Sequence, residues 1–353
     1  MKTYKNLWDK FISRENFDLA AKKAIKSKKN KRCTKKFLEH YDENIEKLRQ
    51  SLMDGTFKTS EYRIFKVYEP KEREIYELPL YPDHILHHAL INILGPIWKN
   101  MFISDSYACI PDKGLHAASK RIMTFVRRNK YVLQCDVKKF FPSINHDIMM
   151  NIIQQKISDR RLLRVLDNIV RSVGGGTNLP IGNLTSQWLA NVYLNQLDMF
   201  VKHELHVHDY LRYCDDFCLF GNSKKLLRKM ESEIVVFLEN KLNLRLSKSC
   251  MRLVADGVNM IGYRHFRNFI LLRKRSVRNI RKRLFNIARY DDYGEHSVGQ
   301  IASSYGWLKH ASSFHFRRSL CNKIRVFSEY AYFFILSGIL PDRIQNICAI
   351  CSI

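Results

Sequence analysis

Three carboxylates stand where carboxylates are disfavoured. Asp136 follows the apolar positions Val132, Leu133 and Cys135, while Asp215 and Asp216 stand side by side between Leu211, Tyr213 and Phe217, Leu219. Burying adjacent like charges is costly unless a cation sits between them. A divalent ion is the simplest such cation. Hard oxygen ligands suit Mg2+, which keeps waters and phosphate oxygens in its shell. Three carboxylates from two strands can hold two Mg2+ ions about 3.5–4 Å apart. One ion would lower the pKa of an attacking hydroxyl and the other would steady a leaving oxygen, the arrangement for in-line nucleotidyl transfer. Taken alone, Asp215 and Asp216 also read as hairpin-turn residues, for which Asp is common.

Such acids need strands to carry them. Val132, Leu133, Cys135 and Val137 predict a short buried strand, and Tyr210 to Phe220 reads as strand, tight turn, strand with Asp215 and Asp216 at the turn. Upstream, Ile64, Phe65, Val67 and Tyr68 predict a strand. Pro70 to Ile75 then predicts a turn and a second strand. Ile85, Leu86, Leu90, Ile91 and Leu94 predict a helix from about Asp83 to Leu94, and Pro96 closes it or starts the next. Gly174, Gly175 and Gly176 mark a loop. A long amphipathic helix is expected from about Thr185 to Leu205, with Ser186 and Gln187 near its start and a Ser or Thr capping it.

The composition narrows the partner. The chain has 353 residues, 60 Lys and Arg against 34 Asp and Glu, and a net charge of +26. With 46% apolar and 12% aromatic residues it can bury a core, which excludes a disordered tail. Its length excludes a small disulfide-stapled module. A strongly basic globular chain usually meets a polyanion, most often nucleic acid. Residues 1–60 read as helical and hold 16 Lys and Arg against 8 acids, either as a solvated helix pair or as an RNA-contacting extension. Residues 264–289 hold ten Lys and Arg and no acid, above the helically spaced Val277, Ile280, Leu284 and Ile287. The nine scattered cysteines and a charged N-terminus read as free thiols of a cytoplasmic protein. Cys348 with Cys351 is a weak zinc signal, and His203, His206 and His208 read as a solvated helix end. The longest apolar run, Tyr330 to Leu340, is too short to span a bilayer.

Together the segments resemble a family. Tyr213-Cys214-Asp215-Asp216 resembles the Y-x-D-D box of reverse transcriptases. Asp136 with Phe140, Phe141, Pro142, Ser143 and Ile144 resembles their first catalytic segment, and Leu179 to Gln187 (LPIGNLTSQ) resembles the segment between the two. Gly257, Met260, Ile261, Gly262 and Tyr263 resemble the primer-grip hairpin. The resemblance covers about residues 60–320. It implies an α+β right-hand polymerase fold of fingers, palm and thumb behind a basic helical N-terminal extension. The expected division is 1–60 for the extension, 61–268 for fingers and palm, 269–325 for a helical thumb and 326–353 for a C-terminal tail.

Within that superfamily the chain is most similar to the reverse transcriptases of diversity-generating retroelements. The resemblance rests on IGNLTSQ ending at Gln187, Glu69 to Ile75, His87-His88-Ala89-Leu90, Ser106-Tyr107-Ala108-Cys109 and Ser304 to His310. The chain departs from the usual pattern at His84 and Ile110, where Arg is usual, at Cys214, where Met is commoner, and at Met260-Ile261, usually Phe-Leu. Such enzymes copy a structured RNA into cDNA with errors mainly at adenine. The implied partners are a structured non-coding template RNA, the RNA–DNA hybrid and dNTPs, with a small basic accessory protein or self-association, in a bacterial or phage setting and without a membrane.

The resemblance also implies roles. Asp136, Asp215, Asp216 and the backbone carbonyl of Val137 would hold two Mg2+. Phe141, five residues beyond Asp136, matches the aromatic that clashes with a ribose 2′-hydroxyl; as a lone residue it reads as core. Lys71 and Arg73 on the fingers hairpin would clamp the triphosphate. Lys248 matches a Lys able to protonate departing pyrophosphate. Ile181 stands where many relatives have Gln, so a contact near the nucleotide is lost and fidelity is expected to be low. Gln187 would touch template or nucleotide. Gly262, Tyr263, Arg273, Lys274, Arg275, Arg278, Arg281 and Lys282 would track the duplex by its phosphates. Three rival readings stay open: an anti-phage defence reverse transcriptase making cDNA from a partner non-coding RNA, an RNA-directed RNA polymerase, and a non-catalytic RNA-binding scaffold.

Overall fold

The computed structural model describes residues 3–68, 72–290 and 294–324. Lys71, residues 326–353 and the Cys348–Cys351 pair lie outside them. The described chain groups into two compact units. The first comprises Met1–Gly114, Leu133–Leu219 and Lys224–Cys250. The second comprises Leu115–Val132, Phe220–Ser223 and the described residues from 251 to 324.

The first unit begins with α1 (Trp8–Ile12), α2 (Arg14–Ala24), α3 (Arg32–Glu39) and α4 (Tyr41–Met53). Ser13 starts α2 by accepting from the Asn16 amide. The basic N-terminal helices are packed into this unit. Phe11, Phe17, Ala20, Ala21 and Ala24 are buried. Asn16 donates to the Ala89 carbonyl of α5 (Ile85–Lys99) at 3.2 Å. The Asp159 carboxylate accepts from the Leu7 and Trp8 amides at 3.0 and 2.9 Å, while its other oxygen caps its own helix. The lysines from Lys22 to Lys36 remain almost all exposed.

A two-stranded hairpin, β1 (Arg63–Val67) and β2 (Arg73–Glu77), follows, with Val67 opposite Arg73. Helix α5 then runs straight through Pro96 to Lys99, against the expected stop. Burial of Leu94, Ile97 and Trp98 offsets the single backbone donor that proline lacks. After α6 (Leu115–Arg128), β3 (Tyr131–Val137) leads to the short α7 (Phe140–Ser143), then α8 (His146–Gln154) and α9 (Arg160–Val170). All three loop glycines, Gly174 to Gly176, have positive φ. Helix α10 (Leu184–Met199) ends in a π-helical turn over Phe200–Glu204, within one residue of the expected Leu205.

The start of α10 corrects an expectation. Asn183 is its N-cap and makes no side-chain capping bond, so neither Ser nor Thr caps it. Thr185 and Ser186 lie inside the helix and are buried. His203, His206 and His208 are exposed at the other end.

Next come β4 (Tyr210–Tyr213), β5 (Asp216–Gly221), α11 (Lys224–Leu242) and β6 (Leu246–Leu253), which complete a sheet in the order β4-β5-β3-β6. This is the palm expected from the resemblance, with α10 and α11 packed on each other.

In the second unit, β7 (Val258–Met260), β8 (Tyr263–His265) and β9 (Ile270–Leu272) form an antiparallel sheet. The helices α12 (Lys274–Tyr290), α13 (Glu295–His310) and α14 (Phe314–Ile324) share a core of Ile280, Leu284, Ile287, Ile301, Leu308 and Leu320. The expected two faces of α12 are present. Ile280, Leu284 and Ile287 are buried, and Lys274, Arg275, Arg278, Arg281 and Lys282 are exposed.

Candidate active site

The strand β4 and the strand β5 are paired with Tyr213 opposite Asp216, leaving a two-residue loop of Cys214 and Asp215. Cys214 has φ +58, a left-handed conformation that L-residues adopt only under constraint. The loop places Asp215 just beyond the end of β4, and Asp216 becomes the first residue of β5. Asp136 lies on the neighbouring strand β3, next to last.

Asp215 feels the charge of Asp136. Burial pushes the Asp215 carboxyl above its ordinary pKa, and the Asp136 charge pushes the same way. The Asp215 backbone amide, the Arg73 guanidinium and the Cys214 thiol pull against them. Burial raises the Cys214 thiol to about 12, so it remains protonated and adds no third negative charge to the turn. Arg73, at the start of β2, is therefore near enough for its charge to act on Asp215. Lys71, its expected companion, lies outside the described residues.

The donor set fits a divalent metal ion. Two like charges at a sheet end, one held above its ordinary pKa, are short of positive charge, and all their ligand atoms are hard oxygens. Among the described residues, however, no group of three or more His, Cys, Asp or Glu converges as a ready metal cluster. Asp136 and Asp215 are brought together, while Asp216 is exposed at the head of β5. The Ser247 hydroxyl, on β6, donates to the Asp136 carboxylate and lies 3.2 Å from the Asp136 carbonyl oxygen. Ser247 was not foreseen, because a serine 111 residues away carries no local signal. Val137 is buried, and Lys248 is exposed beside Ser247 on β6.

The other sequence segments converge through their backbones. Phe141 is half-buried against Phe140, with ring centroids 5.4 Å apart, and is not sunk in the core. Its carbonyl accepts from the Leu179 amide at 2.9 Å. The Ile181 carbonyl accepts from the Tyr76 amide of β2 at 2.8 Å, and Asn178 donates to the Tyr76 hydroxyl at 3.2 Å. One continuous seam thus joins the fingers hairpin, the 178–182 loop and Phe141. Gln187 is exposed on the first turn of α10.

In the second unit, Met260 pairs with Tyr263 across a two-residue turn, with φ +50 at Ile261 and +83 at Gly262. Both central residues at positive φ make the tight hairpin expected of a primer grip. The Gly262 carbonyl accepts from the Arg273 amide at 3.1 Å and from the Ser276 hydroxyl at 3.2 Å. Tyr263 requires a correction. Its side chain is fully buried, stacked on Trp307 at 5.0 Å and bonded to His116 at 3.2 Å. It supports the hairpin from beneath and has no free face for a duplex.

Residues 71–265 match the family described as reverse transcriptase (RNA-dependent DNA polymerase). Protein YkfC of Escherichia coli K12 is 25% identical over 280 residues, covering 65% of this chain and 71% of that protein. The group II intron-encoded protein LtrA of Lactococcus lactis is 27% identical over 172 residues, 45% of this chain. The retron Ec73 reverse transcriptase of Escherichia coli is 32% identical over 123 residues, 31% of this chain. The matched segments span only 28% of LtrA and 36% of the retron enzyme.

Proposed function

The chain belongs to the reverse transcriptase family, and from that premise we propose that it copies a dedicated, structured non-coding RNA into cDNA, with low fidelity, in the manner of diversity-generating retroelements. The observation that carries the chemistry is the placement of Asp215 at the β4–β5 turn beside the strand that bears Asp136, with the Asp215 carboxyl raised by burial and by the Asp136 charge and opposed by Arg73. Asp136, Asp215, Asp216 and the Val137 carbonyl would hold two Mg2+, which when bound supply charge for an attacking 3′-hydroxyl and for the leaving pyrophosphate.

The chain's own residues do the rest. Ser247 orients the Asp136 carboxylate by its hydrogen bond. Arg73 and Lys71 draw in the triphosphate. Phe141, held at its carbonyl by Leu179, stands over the sugar and excludes a 2′-hydroxyl. Lys248 would hand a proton to the departing pyrophosphate. Gly262 fixes the primer-grip turn, and the exposed cations of the 269–325 thumb hold the hybrid by its phosphates. The Lys22–Lys36 surface extends the cationic area available to the RNA, and no helix among the described residues is long and apolar enough to cross a membrane.

Ile181 offers no side-chain hydrogen bond near the nucleotide, which supports low fidelity. Ile181→Gln tests this: a lower misincorporation frequency is expected, and an unchanged error spectrum removes Ile181 from the account. The role itself is tested by sequencing the RNA and DNA that co-purify from the native host. A single structured RNA with cDNA altered at adenines supports diversity generation. A repetitive or homopolymeric product appearing on phage infection would instead assign the chain to antiviral defence.

A further inference from the structure

A charged residue inside an apolar strand is stable only when it is paired, and Arg212 is such a residue. It sits on β4 between Leu211 and Tyr213, and its side chain is wholly buried. Its Nε donates to both carboxylate oxygens of Asp198 on α10, at 2.8 and 3.0 Å, and Nη2 donates to Oδ2 at 2.7 Å. The Tyr210 hydroxyl donates to the same carboxylate at 2.7 Å. These bonds neutralise the guanidinium. They leave Nη1 to do something else, and it donates to the Asn191 side-chain oxygen at 3.0 Å and to the Cys214 carbonyl at 3.1 Å.

We propose that Arg212 is a positioning residue, which holds the backbone of the catalytic turn by its bond to the Cys214 carbonyl and so fixes where Asp215 points. The turn needs a holder. Cys214 is a non-glycine residue at φ +58, and neither central residue of this loop is glycine. The holder is itself held. Asn191 donates to the Ala108 carbonyl at 2.8 Å, the Arg212 amide donates to the Asp105 carbonyl at 3.0 Å, and the Tyr107 amide donates to the Arg212 carbonyl at 3.1 Å. The segment 105–108 therefore meets the backbone of Arg212, while α10 and the catalytic turn meet its guanidinium. Only arginine can do this, because a planar fork serves three acceptor groups at once and an ammonium on a flexible stem cannot. Arg73 acts on Asp215 by its charge; Arg212, cancelled by Asp198, acts through the backbone.

The inference rests on the polymerase reading for its rate assay alone. The test uses Arg212→Lys and Asn191→Ala in the full chain, the second leaving the Asp198 pair intact. Primer extension on an RNA template is measured against Mg2+ and dNTP, together with hybrid binding, thermal unfolding and hydrogen exchange. We expect kcat to fall about 10- to 100-fold for Arg212→Lys, and a smaller fall for Asn191→Ala. The Mg2+ needed for half-maximal rate rises, and dNTP KM and hybrid affinity stay within about twofold. Amide exchange speeds up over 213–216 and stays as in the parent over 188–199. The proposal is overturned if folded variants keep the parental rate, Mg2+ requirement and turn exchange. It is equally overturned if rate, hybrid binding and exchange over α10 all deteriorate together, since that is the signature of a merely structural ion pair. A parent chain that extends no primer would instead refute the polymerase reading, and the exchange pattern would still judge Arg212.

Discussion

A β-carbon built on Gly182 would stand 2.7 Å from the carbonyl oxygen of Tyr76. The 178–182 loop lies this close because the Tyr76 amide donates to the neighbouring Ile181 carbonyl. Gly182 also has φ +130, where other residues are strained. Gly182→Ala must therefore part the loop from β2. The expected cost is about 2 kcal/mol of stability, with a several-fold rise in dNTP KM as the seam to Phe141 opens. Thermal denaturation and steady-state kinetics check both, and an unaltered KM would detach this seam from nucleotide binding.

Asp215 works against the fold. Its carboxyl is raised in the folded protein, so the ionised form is less favourable there than in the unfolded chain. For a raised folded pKa, the stability contribution is present at low pH and lost as the pH climbs through the folded value. At neutral pH Asp215 is thus destabilising. Asp215→Asn is expected to raise the melting temperature by about 2–4 °C while abolishing primer extension. A lower melting temperature would mean that the charge is compensated in the resting protein.

Phe141 can be tested by the identity of the sugar. Phe141→Ala removes the ring expected to clash with a 2′-hydroxyl, so the preference for dNTPs over rNTPs should shrink about 10- to 100-fold. Competing dGTP and rGTP in one extension assay reads this directly. Retained selectivity would return Phe141 to the role of a packing residue.

Buried histidines set an acid limit. Burial pushes His265 down from 6.5 to about 4, and it is bonded to Ser119 at 2.8 Å and to the Val258 carbonyl at 3.1 Å. His87 is pushed down to about 3 by burial. A depressed folded pKa means that the unfolded chain takes up the proton first. The stability is present above pH 6.5 and lost as the pH falls towards 4. Each of these groups contributes about 3 kcal/mol over that window. Unfolding by denaturant at pH 7, 6 and 5 should show the loss, and His265→Asn should flatten it.

If the exposed face of α12 holds the hybrid as proposed, binding is expected to be salt-dependent. Each phosphate contact adds about 0.7–0.9 to the slope of log K against log salt. Arg278→Ala with Lys282→Ala should reduce that slope by about 1–2. A slope equal to the parent's would place the duplex elsewhere.

The expectations met by the structure share a physical origin. The turn Tyr213-Cys214-Asp215-Asp216, the strand bearing Asp136 and the two-faced α12 all follow from neighbours in the chain, through period-2 or period-3.6 spacing and turn chemistry. The departures occurred where packing overrode a local rule. Helix α5 passes through Pro96 because its next turn is buried, and Asn183 begins α10 without a capping bond. Tyr263 lies under its hairpin because Trp307 offers it a ring to stack on.

Sequence alone determined the chemistry of this protein: which acids lie at strand ends, which surfaces are cationic, and which segments belong together as a polymerase. The tertiary structure decided what aims them. Ser247 meets Asp136, Leu179 meets Phe141, Tyr76 meets Ile181, and Arg212 meets Asp198 and Cys214 only after the strands and helices have packed. A side-chain periodicity reports the burial of one element. A hydrogen bond between elements depends on their relative placement, and no spacing within either element encodes that.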